Sequence, residues 1–179
     1  MKDTSGLPAP VAETDSPAPA RADTTFVNLC LFRVGGDEMV LDIMRIREIL
    51  RPMPLTPLPR APVGVRGLIN VRGTVMPLVD LRVRFGLPPD DTGPRRRILV
   101  VLDRHRLQGL LVDSVAEVAR VGRETLTSGD GILSGDAAEV FSGVLQYRGR
   151  MVLLLNLARL LARDAPVALP ALPQPGGGA

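Results

Sequence analysis

Apolar and polar positions alternate in short bursts along most of the chain, and glycine or proline separates the bursts. Phe26–Val34 reads F-V-N-L-C-L-F-R-V, a compact apolar run rich in β-formers. Gly35-Gly36-Asp37 follows as a hairpin turn, and Glu38–Ile43 reads as the returning strand. Ile43, Ile46, Ile49 and Leu50 then fall at i, i+3, i+6 and i+7. That spacing predicts one or two helical turns over Met44–Leu50, with Arg45 and Arg47 pointing outward. Pro52, Pro54, Pro57, Pro59 and Pro62 forbid a helix in the next stretch, which must run extended and can pair only at an edge.

Further strands are predicted over Val65–Val71, Thr74–Asp80, Arg97–Asp103, Arg106–Asp113, Val115–Val121, Val140–Arg148 and Met151–Leu155. Turns fall at Arg72-Gly73, at Asp103-Arg104-His105 and at Arg148-Gly149-Arg150. Leu81–Phe85 and Asn156–Arg163 read as short helices, with Asp80 and Asn156 as N-caps. Many short strands with glycine punctuation predict an all-β-dominated fold with short helices, arranged as small barrels or a sandwich. An α/β fold would need longer helices between its strands.

The two ends differ from this pattern. Residues 1–25 hold four Pro, few large apolar groups and a net charge of −2. Residues 165–179 carry no charge, four Pro and the run Gly176-Gly177-Gly178. Neither stretch can bury enough apolar surface to offset chain entropy, so both are expected to be disordered tails around a body at 26–164.

Composition narrows the chemistry. The 179 residues include one Cys, one His and one Tyr, and Lys2 is the only Lys among 22 basic residues. Cys30 alone permits no internal disulfide, and one Cys with one His cannot make a structural zinc site. No GxxxxGK[ST] phosphate loop is present. His105 is the only imidazole available to a catalytic triad, and it sits at a hairpin tip where a turn residue is the plainer reading. The expectation is therefore a binding module, not an enzyme, with no cofactor and no metal site. Met1 is followed by Lys-Asp-Thr and not by an apolar signal core, and no apolar run reaches the 18 or so residues of a membrane helix. The reading is a cytoplasmic protein.

Val63–Leu87 is the most informative stretch: V-G-V-R-G-L-I-N-V-R-G-T-V-M-P-L-V-D-L-R-V-R-F-G-L. Gly67 suggests a close backbone approach, Gly73 a turn, and Pro77 an edge or bulge within an apolar strand. Its Gly67, Asn70, Arg72, Gly73, Pro77, Asp80, Leu81 and Arg82 resemble the signature run of the CheW family, the coupling proteins of bacterial chemotaxis. Val40–Leu50, Ile98–Val118 and Phe141–Leu161 resemble three further segments of that family, in order. The likeness covers about residues 26–163.

The resemblance implies two interlocked five-stranded SH3-like barrels sharing a core. It also implies a non-enzymatic adaptor with two partners: the cytoplasmic tip of a methyl-accepting chemoreceptor and the regulatory domain of a CheA-type histidine kinase. Such a protein is recruited to membrane-associated receptor arrays without inserting into the membrane. For the receptor it points to Ile46, Glu48, Val71, Arg72 and Gly73, with Glu48 and Arg72 as an ion pair. Ordinary surface charges at those two positions, and a core role for Ile46, are the plainer alternatives. For the kinase it points to Leu126, Thr127, Ile132 and Leu133 within the loop-like stretch L-T-S-G-D-G-I-L, which Ser134-Gly135-Asp136 lengthens and in which only Ile132 and Leu133 offer apolar anchors.

Charge leaves one competing function. The sequence pI is about 9.9 and the body carries 20 basic against 15 acidic side chains. A barrel-type nucleic-acid binder would fit that balance. Aromatics at 3% leave no paired rings for base stacking, which weighs against it. Arg95-Arg96-Arg97 reads as a solvated strand entrance before it reads as a phosphate contact, and Cys30 as a core or partly exposed thiol. Asp42, Asp80 and Asp113 lack the βα periodicity that a phospho-acceptor domain would show.

Overall fold

The computed structural model describes residues 26–163 and 165–170. Eleven strands are joined by short turns: β1 (Phe26–Val34), β2 (Asp37–Asp42), β3 (Ile46–Leu50), β4 (Val65–Val71), β5 (Thr74–Asp80), β6 (Arg97–Asp103), β7 (Arg106–Val112), β8 (Ser114–Gly122), β9 (Leu126–Ser128), β10 (Phe141–Tyr147) and β11 (Arg150–Leu155). Three short helices, α1 (Leu81–Arg84), α2 (Gly135–Val140) and α3 (Leu157–Ala162), cover the strand ends. Among the described residues no helix is long and apolar enough to cross a membrane.

The strands form two sheets. The six-stranded sheet runs β8-β1-β2-β11-β10-β9, and the five-stranded one β3-β6-β7-β5-β4. The chain starts in the first sheet, builds the whole of the second, and returns, which is what interlocks them. Each sheet curls around its own apolar filling. Leu29 and Leu31 of β1, Val40 of β2, Ala119 and Val121 of β8, Leu145 of β10 and Val152 of β11 meet in one cluster. Ile69, Val71, Met76, Leu78, Ile98, Val100 and Leu111 make the second, with Leu50 packed against it. A third and larger cluster joins both sheets: Phe32, Met39, Val79, Leu81, Leu99, Leu110, Phe141 and Leu153 are all within it. Each filling draws on every strand of its sheet, as in a small sheet curled into a barrel, and the two barrels share the third cluster as a common core.

Turn chemistry explains the boundaries. Gly35 and Gly36 have φ of 66° and 106°, Arg104 and His105 have 43° and 68°, and Arg148 and Gly149 have 48° and 74°. With the β4–β5 turn at Arg72 and Gly73, φ 50° and 87°, all four tight hairpins use left-handed pairs, whose twist suits the flanking strands. The Asp80 side chain accepts from Arg82 N at 2.9 Å and that of Asn156 from Arg159 N at 3.2 Å, which starts α1 and α3.

Four expectations are corrected. Met44–Leu50 is not helical: the Asp42 carboxylate accepts from Met44 N at 2.9 Å and caps a single 3₁₀ turn at Ile43–Arg45, after which Ile46–Leu50 pairs with β6 as an edge strand. β-branched Ile46 and Ile49 suit a pleated surface, and the same apolar spacing fits either element. Leu126–Ser128 is a sixth strand of the first barrel and not part of a loop, paired with Leu145, Val144 and Gly143. Pro77 does not mark a sheet edge. β5 lies inside its sheet, but its pairing to β7 begins only at Leu78, so the missing N–H of Pro77 interrupts no ladder. Finally, the packed chain runs past residue 164: Val167 is fully buried in the shared core, and its amide donates to Arg84 O at 2.8 Å. The expected tails at 1–25 and 171–179 lie outside the described residues.

Candidate partner-binding surface

β3 and β4 are the two outer strands of the second sheet, so nothing in the ladder joins them directly. The curl brings them together. Beyond β3 the proline-rich segment crosses over, and Thr56 exchanges two backbone hydrogen bonds with Leu68, both 2.8 Å. That crossing needs Gly67: φ is 152°, and a Cβ there would lie 2.3 Å from Thr56 O.

At the end of this seam sits the β4–β5 turn. Arg72 adopts φ 50° and Gly73 φ 87°, and the Asn70 side chain accepts from Gly73 N at 2.9 Å. The turn lifts the Arg72 guanidinium toward β3, where it lies 3.1 Å from a Glu48 carboxylate oxygen. The side chain of Arg72 is 79% exposed and that of Glu48 25% exposed, so the pair is at the surface and not sheltered by apolar neighbours. A pair of this exposure contributes about 0–1 kcal/mol to stability. Its charges remain available to a partner.

The other residues implicated with this pair divide. Ile46 is half-buried and packs against the shared core, with part of its surface accessible. Val71 is 7% exposed and belongs to the second barrel's filling, so it supports the turn from within and offers a partner little surface. Gly73 faces open space.

In the second segment, Leu126 is half-buried against the first barrel's core and Thr127 is exposed. Ile132 is 49% exposed, whereas Leu133 is 6% exposed and sits in the shared core. Leu133 is therefore withdrawn as an apolar anchor for a partner. Its amide donates to Gly129 O at 2.8 Å, and this turn rotates Leu133 inward while leaving Ile132 outside.

Behind the seam lies an ionic cluster that sequence reasoning missed. Asp80 is completely buried, Arg96 is 5% exposed, and they stand 3.6 Å apart. Arg66 reaches Asp80 at 3.1 Å and Asp91 at 2.9 Å, and Arg96 reaches Asp91 at 3.0 Å. Arg96 is therefore no solvated strand entrance. The Asp91 carboxyl is held below its ordinary range by hydrogen bonds from Arg66 and Arg96, and the same contact with Asp91 holds the Arg66 guanidinium above its own. Asp113 accepts from Gly35 N at 2.7 Å and pairs with Arg82 at 2.7 Å, which ties the first hairpin to α1. Cys30 is fully buried in β1, and desolvation raises its thiol to about 11.

Large apolar side chains that pattern reading did not single out also reach the surface. Met44, on the 3₁₀ turn beside β3, is 81% exposed, and Val75 and Val118 are more than half exposed. Among the described residues no group of three or more His, Cys, Asp or Glu is placed to hold a metal ion.

The chain is similar to known proteins in sequence and in fold. A family model described as "CheW-like domain" matches residues 28–165. The chain is 39% identical over 129 residues to a chemotaxis protein CheW of Rhizobium meliloti, covering 72% of this chain and 83% of that protein. It is 31% identical to a chemotaxis protein CheW of Helicobacter pylori, with 74% and 80% covered, and 35% identical to the protein FrzA of Myxococcus xanthus, with 76% and 88% covered. The crystal structure of the scaffolding protein TtCheW from Thermoanaerobacter tengcongensis matches at a TM-score of 0.71 and 24% identity, covering 80% of this chain and 97% of that one. That last likeness concerns the fold.

Proposed function

The chain belongs to the CheW family of chemotaxis coupling proteins, and on that premise we propose that it joins chemoreceptor tips to a CheA-type histidine kinase without catalysing a reaction of its own. The observation that carries this reading is the Glu48–Arg72 pair, a surface salt bridge of 3.1 Å at the seam where the second barrel closes. Beside it on β3 lies half-buried Ile46. An apolar anchor next to fixed charges suits the packing of a partner helix, where apolar residues supply contact area and charges set register. Ile46, Glu48, Arg72 and Gly73 form the receptor-facing set, with Val71 holding the turn from within.

Leu126, Thr127 and Ile132 form the kinase-facing set. Ile132 supplies its exposed apolar group, and β9 supplies a sheet edge. The two sets lie on different barrels, so one chain can hold both partners at once. The site of action is then the cytoplasmic side of membrane-associated receptor arrays. The nucleic-acid alternative is not favoured, since the matching relatives are named as chemotaxis proteins.

Reconstitution tests the reading. The chain is added to a CheA-type kinase and vesicles carrying a chemoreceptor, and kinase autophosphorylation is followed. Receptor-dependent activation that requires the chain is expected. Equal kinase activity with and without the chain would overturn it.

A further inference from the structure

The mouth of the first barrel holds a cavity of about 300 Å³, at the small end of the range for ligand pockets. Barrel mouths are among the places where such pockets form. Val27 and Leu29 of β1, Leu126 of β9 and Leu154 of β11 line it with apolar surface, all continuous with the barrel's own core. Its rim carries two cations, one amide and one acid. Arg45 comes from the 3₁₀ turn before β3 and Arg123 from the turn after β8. Both are exposed, and neither has an ion-pair partner among the described residues. Asn156 lines the same space; its side-chain oxygen is taken by Arg159 N at 3.2 Å, which leaves its NH₂ as a donor. Asp42 is the one acid there, and one of its oxygens is engaged by Met44 N at 2.9 Å.

Two cations against the single acid Asp42 leave the rim net positive, and with a free amide above an apolar floor it calls for a ligand with an apolar body and an acceptor-only, anionic head placed on the Arg45–Arg123 side. The space is too small for a helix, which is about 10–12 Å across with its side chains. We propose that this mouth binds a small amphiphilic carboxylate, with its chain on Val27, Leu29, Leu126 and Leu154 and its head at the Arg45–Arg123 rim. A carboxylate accepts from guanidinium in charge-assisted hydrogen bonds, which an alcohol of the same length cannot match.

Octanoate is the probe, titrated into the full chain at pH 7 and followed by the methyl NMR signals of Val and Leu. Saturable shifts confined to Val27, Leu29, Leu126 and Leu154 are expected, and 1-octanol should bind at least tenfold more weakly. Arg123→Glu should weaken octanoate at least tenfold while leaving the rest of the spectrum in place, and Arg45→Glu repeats the test from the other side of the rim. Leu126→Trp should fill the cavity and abolish binding. Shifts that never saturate, or that spread over Met44, Val75 and Val118, would mean adsorption to exposed apolar surface and overturn the proposal. So would equal binding of octanol, or octanoate binding untouched by both charge reversals.

Discussion

Arg96 and Asp80 meet at 3.6 Å with almost no access to water, where β6 begins and β5 ends. Asp80 has three tasks at once. It caps α1 through Arg82 N, it receives Arg66, and it faces Arg96. A buried charge left without its partner costs more than the pair ever contributed. Asp80→Ala removes the cap and the buried acid together, leaving Arg66 and Arg96 only the exposed Asp91, so it should destabilise the fold by about 2–4 kcal/mol. Urea denaturation measures this directly, and a loss under about 1 kcal/mol would show that the cluster relaxes into water.

Asp91 ties the same cluster to the surface, and its depressed carboxyl makes stability depend on pH in a definite direction. A carboxyl held lower in the folded chain than in the unfolded chain adds stability above its unfolded pKa of about 3.9, and that stability disappears as pH falls through the folded value. Burial raises the Asp37 carboxyl and acts in the opposite sense. The readout is therefore the difference between wild type and Asp91→Asn, not the total slope. The midpoint of urea unfolding should fall more steeply with acid in wild type below about pH 4. Parallel curves would remove Asp91 from the account.

Val167 lies in a stretch of Ala and Pro that reads as tail, yet it is fully buried, and Leu169 packs against the same core. The segment leaves α3, which follows the first barrel, and reaches α1, which follows β5 of the second. It fastens the two halves. Val167→Asp places a charge in the shared core and should destabilise by several kcal/mol, whereas Ala168→Asp, on an exposed neighbour, should stay within about 0.5 kcal/mol. Thermal unfolding of the two variants side by side checks it.

Ile132 and Leu133 are adjacent in sequence and opposite in environment. Leu133→Ala should cost about 2–5 kcal/mol through the cavity it leaves. Ile132→Ala should leave stability within about 0.5 kcal/mol and weaken capture of the kinase regulatory domain. Pull-down and denaturation measured on both variants separate a docking residue from a core residue, and the opposite assignment would exchange the two results.

The strands were legible because each depends on a local rule. β1, β4, β5 and β6 combine alternation or an apolar run with a glycine or Asx turn, and their boundaries follow from those residues alone. β3 was misread because Ile46, Ile49 and Leu50 satisfy a helical period and a strand face equally, and only its partner β6 decides. β9 is three residues long, too short for any period to show. The buried role of Arg96 was hidden inside Arg95-Arg96-Arg97, since which of three like residues turns inward depends on Asp80 and Asp91. Glu48 and Arg72 lie on opposite edges of their sheet, so no local pattern could bring them together. Family resemblance supplied that pairing, and barrel closure is its physical cause.

That closure sets the sharpest test of the adaptor reading. If Glu48–Arg72 were a structural lock, Arg72→Ala would loosen the second barrel. With Arg72 79% exposed, the pair contributes about 0–1 kcal/mol at most, and salt screens it further. The seam keeps its Thr56–Leu68 backbone bonds, and the turn keeps Asn70 on Gly73 N. Arg72→Ala should therefore fold with a urea midpoint close to wild type and still capture the kinase regulatory domain. Its co-sedimentation with receptor arrays should be lost, because the guanidinium would have been removed from the receptor-facing set alone. A variant that unfolds early would make the pair structural after all. One that sediments with receptors as wild type does would remove Arg72 from the receptor-facing set.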